Sequence, residues 1–310
     1  MNEKTLVEKI NILKKEKNAV ILAHYYQNGD IQDIADYVGD SLGLSIEAKN
    51  TFADIIVFAG VHFMAETAKI INPSKKVLVP DMNAGCSLAD SCTPAKFKIF
   101  KEKYPNHTTI TYVNCSAEIK AMSDIVCTSS NALKIVESIP LNTPIIFAPD
   151  KNLGDYIVRK TGREMVLWNG ACVVHESFSL EKLIQLKIKY PGAKIVSHPE
   201  SETQVLKYSD FIGSTSEMKE FIIHSTADVF IVATEEGILH GLKKIVPTKL
   251  LIPAPIYDDN LCACGECGFM KVNTLQKVYD CLLNESPEII ISKELIEKAK
   301  IPIDRMLQIK

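Results

Sequence analysis

The chain has 310 residues, 46% of them hydrophobic, and its 35 basic and 38 acidic residues leave a net charge of −3. This is a globular composition, and it lacks the basic excess that indicates a nucleic-acid or membrane-surface partner. No charge-free apolar run approaches the ~20 residues of a transmembrane helix, and the charged N-terminus lacks the apolar centre of a signal peptide. We therefore expect a cytoplasmic protein with no nucleic-acid or membrane partner.

A short helix is predicted at about residues 4–15, and three related units follow it. Each unit opens with an apolar strand that ends in a polar triplet, continues into a helical stretch, and reaches an Asp followed by hydroxyl residues. The aspartates are Asp36, Asp124 and Asp210, spaced 88 and 86 residues apart. The hydroxyl residues Ser41, Ser129 and Thr215 have the same spacing. The chain therefore contains an internal repeat of ~86 residues.

The second half of each unit also repeats. The segments ADIIVFAG, TPIIFAPD and ADVFIVAT read as buried strands, and the shorter strands KVLVP, EMVLW and KLLIP follow after a helical stretch. Strands that alternate with helices predict parallel sheets covered by helices. We expect an α/β fold of three pseudosymmetric three-layer α/β/α domains around a central cavity. Their predicted limits are 1–84, completed by the helical segment 268–310, then 85–170 and 171–267.

The polar triplets indicate acid–base chemistry. Ligands of parallel sheets bind beyond the carboxyl ends of the strands, and three such ends would surround one cavity. Two positions of the triplet recur in all three units, and they hold His24, Tyr112 and His198 at the first and Tyr26, Asn114 and Glu200 at the second. Imidazole, phenol and carboxylate groups span a range of pKa values suited to proton transfer.

The repeated hydroxyls have two interpretations. Residues such as Ser41, Ser129, Ser214 and Thr215 at the start of a helix are often N-caps. In register around one cavity, they could instead bind carboxylate or phosphate together with free backbone N–H groups. The chain has few arginines, namely Arg159, Arg163 and Arg305. An anionic ligand would therefore be held by N–H groups, hydroxyls and a few lysines.

The nine cysteines favour metal or redox chemistry over a disulfide framework. Cys86 and Cys172 follow equivalent turns 86 residues apart, and the third unit offers Cys262, Cys264 and Cys267. One thiolate per unit could hold an iron–sulfur cluster with one iron that lacks a protein ligand. A structural zinc site formed by the three cysteines of the third unit remains the alternative. The apolar surroundings of Cys115, Cys127 and Cys281 predict core packing instead, and Cys92 fits that role less well.

Several motifs together resemble the quinolinate synthase family over nearly the whole chain. They are LAHYYQ, DSL, AGVHFMAETAKIINPSKKVLVPDMNAGCSLADSC, TYVN, CTSSNA, WNGACVVHE, SHPE and the segment GFMKVNTL after the last cysteine pair. The resemblance implies three pseudosymmetric domains and a 4Fe-4S cluster held by one cysteine per domain. It also implies the condensation of iminoaspartate with dihydroxyacetone phosphate to quinolinate, phosphate and water in de novo NAD synthesis. A functional link to an L-aspartate oxidase or dehydrogenase is implied as well.

The resemblance also carries residue roles. The cluster ligands fall on Cys86, Cys172 and Cys267. Substrate contacts match His24, Ser41, Tyr112, Asn114, Ser129, His198, Glu200 and Thr215. Acid–base roles match Tyr26, Glu200 and His198. Two positions depart from the family pattern, because Tyr25 replaces an Asn and Gly268 replaces a Pro, and the additional Cys262 and Cys264 leave the choice of third ligand open.

Two other classes of function remain. One is a different cluster-dependent hydro-lyase that acts on another hydroxy acid. The other is an iron–sulfur carrier or redox sensor, which would not need the ring of His, Tyr and Glu side chains. That ring favours an enzyme.

Overall fold

The computed structural model describes residues 3–257 and 265–309, so Cys262 and Cys264 lie outside the described residues. Its strands form three four-stranded parallel sheets. In each sheet the unit's second strand lies at one edge and its first strand comes next, followed by the third and fourth. The expected fold class, three α/β/α units with parallel sheets, is therefore confirmed.

The first unit follows an N-terminal helix. Its elements are α1 Glu3–Glu16, β1 Ala19–His24, α2 Gly29–Ile34, β2 Tyr37–Gly39, α3 Ser41–Asn50, β3 Ile55–Ala59, α4 His62–Ile71 and β4 Lys76–Leu78. Every residue of β3 is buried, as expected for the inner strand of a parallel sheet that helices cover on both faces. The strand order is β2-β1-β3-β4.

The second unit repeats this order as β6-β5-β7-β8. Its elements are α5 Ser87–Ser91, α6 Pro94–Glu102, β5 Thr108–Tyr112, α7 Ala117–Ala121, β6 Ile125–Cys127, α8 Ala132–Ser138, β7 Ile145–Ala148, α9 Lys151–Thr161 and β8 Val166–Leu167. The inner strand β7 is again buried at every residue.

The third unit has the order β10-β9-β11-β12. Its elements are α10 Leu180–Lys189, β9 Lys194–Ser197, α11 Thr203–Leu206, β10 Phe211–Ile212, α12 Thr215–His224, β11 Val229–Ala233, α13 Ile238–Ile245 and β12 Leu250–Pro253. The predicted strand segments of all three units therefore form strands.

The repeated aspartates explain part of the sequence repeat. Each carboxylate accepts a hydrogen bond from a backbone N–H in the first strand of its own unit, at 2.8, 2.8 and 2.9 Å. The pairs are Asp36 with Ile21, Asp124 with Thr109, and Asp210 with Ile195. Each aspartate thus ties the chain entering the edge strand to the first strand, which explains the recurrence of Asp at this position.

Three helices follow the third unit, namely α14 Gly268–Lys271, α15 Leu275–Asn284 and α16 Lys293–Gln308. α15 packs against α1 and β3, so it covers the first sheet. α16 packs against α7 and β6 of the second unit and also against α4 of the first. The C-terminal segment therefore covers the first unit and also lies along its junction with the second.

The cysteines expected to pack in the core do so. Cys115, Cys127 and Cys281 are buried among apolar side chains, and Cys92 packs beside Cys115. None of the described helices is long and apolar enough to span a membrane.

Candidate active site

One cavity between the three units collects every predicted site residue. Its lining includes His24, Tyr26, Ser41, Cys86, Tyr112, Asn114, Ser129, Cys172, His198, Glu200, Thr215 and Cys267. The strands β1, β5 and β9 end at this cavity, as the rule for parallel sheets predicts. The site therefore takes side chains from all three units.

Two strand-end histidines have matching surroundings. The backbone N–H two residues further along the chain donates to Nδ1 in both, at 3.2 Å for His24 and 3.4 Å for His198. Because Nδ1 accepts, the proton of the neutral ring is assigned to Nε2. Burial lowers the pKa of His24 to about 4 and that of His198 to about 3. Both rings are therefore neutral hydrogen-bond donors at neutral pH.

Glu200 is the central carboxylate of the site. The Tyr112 hydroxyl donates to its Oε1 at 2.5 Å, across 88 residues of sequence. The Nδ1 atoms of His175 and His198 lie 3.3 and 3.5 Å from its two oxygens. Burial raises the pKa of Glu200, but the two imidazoles and the Tyr112 hydroxyl outweigh that effect and lower it to about 2. Glu200 is therefore ionised although it is buried.

A line of close polar contacts connects Glu200 with Tyr26. On the far side of the His175 ring, Nε2 lies 3.0 Å from Oγ1 of Thr234. The same Oγ1 lies 2.5 Å from the Tyr26 hydroxyl. Burial raises the pKa of Tyr26 well above 10, so its phenol keeps its proton. A proton can therefore pass between the carboxylate and the phenol through one imidazole and one hydroxyl.

His175 and Thr234 are residues that the sequence interpretation missed. His175 belongs to the motif WNGACVVHE, three residues after Cys172, and Thr234 directly follows β11. The signal in the sequence that could have identified them was their position in these segments, one close to a predicted ligand and the other at a strand end. Their contacts join residues far apart in sequence, and that of Thr234 with Tyr26 also joins two units. Such contacts cannot be read from spacing along the chain.

The hydroxyls at the helix starts are not the caps of those helices. Ser41 and Thr215 are the first residues of α3 and α12. Asp40 caps α3 by accepting the Gly43 N–H at 2.8 Å, and Ser214 caps α12 within a capping box. The N-cap interpretation is therefore correct for Ser214 and wrong for Ser41 and Thr215. Their hydroxyls, together with the helix N-termini, can serve a ligand.

Contacts between units set the arrangement of these hydroxyls. Oδ2 of Asp40 accepts the Ser130 hydroxyl at 2.9 Å, which ties the start of α3 to the second unit. Ser129, next to it, lies 3.2 Å from Nε2 of His198 in the third unit. Side-chain contacts at Ser129 and Ser130 therefore join the second unit to the first and to the third around the cavity.

The sequence predicted that a few lysines would help to hold an anionic ligand, and the structure places none of the described lysines in the lining of the cavity. Among the described residues that line the cavity there is neither Lys nor Arg. Arg163, for example, donates to the carbonyls at the end of α8 and is committed there. The electropositive groups available to an anion are therefore hydroxyls, imidazole N–H groups and helix N-termini.

Comparison with known proteins gives the family. A model of the family described as Quinolinate synthetase A protein matches residues 8–308. The chain belongs to this family. It is 62% identical over 299 residues to the quinolinate synthase of Microcystis aeruginosa, covering 96% of this chain and 93% of the relative. It is 57% identical over 309 residues to the quinolinate synthase of Chloroherpeton thalassium, covering 100% and 96%.

The donor set of the cavity fits the cluster that the resemblance implies. Cys86, Cys172 and Cys267 line the cavity, and they follow β4, β8 and β12, the fourth strands of the three units. Burial raises the pKa of all three thiols, to about 12 for Cys86, and the neighbouring thiols add to this effect for Cys86 and Cys172. The backbone N–H of the residue three positions on lies close enough to each sulfur to favour its thiolate form. This equivalence is what a shared metal group with one ligand per unit requires.

A second donor group lies within the same cavity. Sγ of Cys172, a ring nitrogen of His175 and a carboxylate oxygen of Glu200 all lie within 4.8 Å of one another. Two of these three residues belong to the line of contacts that leads to Tyr26. The thiols and the acid–base groups therefore adjoin each other, and one small molecule can contact both.

Proposed function

We propose that this chain is a quinolinate synthase. It condenses iminoaspartate with dihydroxyacetone phosphate and releases quinolinate, phosphate and two waters. The observation that supports the proposal most strongly is the single cavity in which three thiols, one from each unit, lie beside the buried carboxylate of Glu200 and its proton-transfer partners. A redox carrier would have no use for that second set of groups.

Substrate binding relies on neutral donors. Both substrates are anions, and Ser41 and Thr215 stand at helix N-termini that favour negative charge. Oδ1 of Asn114 is buried without a hydrogen-bond partner, so its amide is free to orient a bound polar group. The neutral rings of His24 and His198 add hydrogen-bond donors at the ends of β1 and β9. Together these groups hold carboxylates and phosphate without an arginine clamp.

Proton transfer follows the line of contacts described above. Glu200, ionised and buried, takes the carbon-bound proton of iminoaspartate as its enamine forms. His175 accepts this proton at Nδ1 and releases another from Nε2 through Thr234 to Tyr26. The Tyr26 phenol protonates a departing hydroxyl, which leaves as water. One connected group therefore serves as base for the condensation and as acid for the dehydration.

In this proposal Cys86, Cys172 and Cys267 hold the 4Fe-4S cluster. A zinc site formed by the third unit alone is less well supported, because Cys267 lines the same cavity as Cys86 and Cys172. When bound, the cluster supplies a Lewis acid at the iron that has no protein ligand.

The test is reconstitution under anaerobic conditions with iron and sulfide, followed by an assay with oxaloacetate, ammonia and dihydroxyacetone phosphate. We expect quinolinate, identified by its ultraviolet absorption and mass, and equimolar phosphate. The controls are the iron-free protein and a reaction without dihydroxyacetone phosphate. A fully loaded cluster without quinolinate, under conditions in which a relative is active, would overturn the proposal. Turnover of another hydroxy acid would then support the hydro-lyase alternative.

A further inference from the structure

Glu235 is a buried carboxylate that neither the proton path nor the substrate-binding groups use. It lies two residues beyond the end of β11, at the wall of the cavity, and 1% of its side chain is exposed. A buried charge is costly unless its hydrogen-bonding capacity is satisfied. The partners that satisfy it therefore indicate what Glu235 holds in place.

These partners belong to the segment that carries the third thiol. Oε1 of Glu235 accepts the backbone N–H of Cys267 at 3.2 Å and the ammonium group of Lys271 at 2.9 Å. Because the two donors lie at the beginning and end of one helical turn, the carboxylate spans the segment from Cys267 to Lys271. These contacts therefore fix the Cys267 backbone relative to the end of β11.

The same ion pair reaches the first unit. The Lys271 ammonium also donates to the carbonyl of Tyr26 at 2.9 Å. Oε2 of Glu235 accepts the N–H of Gly237 at 2.7 Å, and a Cβ at Gly237 would lie 2.9 Å from the Tyr26 backbone. The glycine therefore permits close approach of the loop after β11 to Tyr26. Glu235 thus connects the Cys267 turn with the residue that carries the phenol.

The equivalent acid of the second unit makes a simpler contact. Asp150 lies two residues beyond β7, as Glu235 does beyond β11. Its Oδ1 accepts the N–H of Leu153 at 2.7 Å and so caps its own helix. Glu235 is longer by one methylene group and reaches Cys267 and Lys271 on another segment. Local helix capping does not account for these longer contacts.

We propose that Glu235 is a positioning residue, which, through its ion pair with Lys271, holds the Cys267 turn and Tyr26 in the mutual arrangement that cluster binding and proton transfer require. The inference rests on the proposed function, in which Cys267 is a cluster ligand. What it adds is that Glu235 links the position of the third ligand, Cys267, to that of the Tyr26 phenol on a different segment.

The test uses Glu235→Gln, Glu235→Asp and Lys271→Met in the full chain. Gln offers one acceptor oxygen and no charge, and Asp keeps the charge but is too short to span both partners. In the iron-free protein, hydrogen–deuterium exchange of the peptide covering 265–271 is expected to become about tenfold faster, whereas the peptide around Cys86 stays unchanged. In the loaded protein, release of iron to a chelator is also expected to become about tenfold faster.

Glu66→Gln serves as the matched control. Glu66 is another buried carboxylate, and it accepts the Ala117 N–H at 3.1 Å between the first and second units, outside the residues that line the cavity. It should lower stability without a selective change at 265–271. A double variant of Glu235→Gln and Lys271→Met should be no worse than the more severe single variant, because both remove the same ion pair.

The outcomes separate the two levels of inference. Wild-type exchange at 265–271 and wild-type iron release in both Glu235 variants would overturn the positioning role. Faster exchange spread evenly over the chain, matched by Glu66→Gln, would also overturn it. Retention of iron by Cys267→Ser would instead refute the ligand assignment in the proposed function, whatever the Glu235 variants show.

Discussion

At the scale of single residues, the site depends on how burial and hydrogen bonding set protonation states. Glu200 stays ionised because the neighbouring imidazoles and the Tyr112 hydroxyl lower its pKa, and Tyr26 stays protonated because burial raises the pKa of its phenol. Neighbouring groups are thereby held as base and acid at the same pH. Three predictions concern this scale.

Glu200→Gln should retain the cluster and bind substrate but lose turnover. The amide keeps the size of the side chain and cannot take up a proton at neutral pH. General acid–base groups contribute about 10²–10⁴-fold to rate, so we expect kcat to fall by that order. The measurement is the rate of quinolinate formation at matched iron content. A variant within about twofold of wild type would refute the role of Glu200 as base.

Tyr26→Phe and Thr234→Val should affect the same step. Each variant interrupts the path between His175 and the departing hydroxyl, so each should lower kcat by about 10²-fold or more with a smaller change in KM. The double variant should be little slower than the slower single variant, because the path is already broken. Fully multiplicative losses in the double variant would show that the two side chains act independently.

His24 predicts a pH dependence of stability. Its pKa is about 4 in the folded protein and 6.5 in the unfolded chain, with burial as the main cause. The unfolded chain therefore binds a proton first, so the stability that the neutral ring confers is complete above pH 6.5 and is lost as the pH falls towards 4. The difference corresponds to about 3 kcal/mol in the free energy of unfolding.

Urea unfolding of the iron-free protein at several pH values measures this loss, and His24→Gln is the comparison. The variant should lose less stability than wild type between neutral and mildly acidic pH, because its side chain does not titrate. Identical pH profiles for the two proteins would contradict the assignment of a neutral, buried His24.

At the scale of elements, the proposed anion site relies on helix starts instead of arginines. The cap residue and the cavity-lining hydroxyl are adjacent at α3, where Asp40 caps the helix and Ser41 begins it. This division leaves the hydroxyl free while the helix remains capped. The Asp40 carboxylate also binds Ser130 of the second unit, so one side chain joins local helix stability to the geometry of the site.

Asp40→Ala should therefore have two effects. Loss of the cap should cost about 1 kcal/mol of stability, and loss of the Ser130 contact should raise KM several-fold. Thr274→Ala is the control, because Thr274 caps α15 by accepting the Lys277 N–H and does not line the cavity. It should lower stability by a similar amount and leave KM unchanged. Equal KM values in the two variants would show that Asp40 has no role in substrate binding.

At the scale of the whole molecule, the site exists only where three units meet. Each unit contributes one thiol, strand-end polar groups and at least one hydroxyl residue to the cavity, and the three thiols come together only where the units meet. A ligand that contacts all three units stabilises their assembly, because it binds the folded arrangement and not the separated parts.

The cysteine variants test this arrangement. Cys86→Ser, Cys172→Ser and Cys267→Ser should each abolish a stable cluster, because ligation needs the thiolate. Cys262→Ser and Cys264→Ser should retain near-normal iron. Iron and sulfide are counted after anaerobic reconstitution of each variant. Loss of the cluster in Cys264→Ser with its retention in Cys267→Ser would move the third ligand by one CxxC step.

The sequence by itself determined the parts of the molecule that depend on local order along the chain. Apolar runs separated by helical stretches specify parallel strands, and the spacing of Asp36, Asp124 and Asp210 revealed three equivalent units. Those aspartates repeat because each makes a contact within its own unit. Strand-end positions also predicted which side chains would line the cavity, since the carboxyl ends of parallel strands lie at one edge of a sheet.

Only the tertiary structure decided how the lining residues contact one another. Thr234 and Tyr26 are 208 residues apart, and Tyr112 and Glu200 are 88 apart, yet both pairs meet at 2.5 Å. Contacts between units depend on how the three sheets pack, and no periodicity in the chain encodes that packing. For the same reason the sequence could not separate the cap Asp40 from the hydroxyl of Ser41, because adjacent residues differ in the direction of their side chains, which the folded backbone sets.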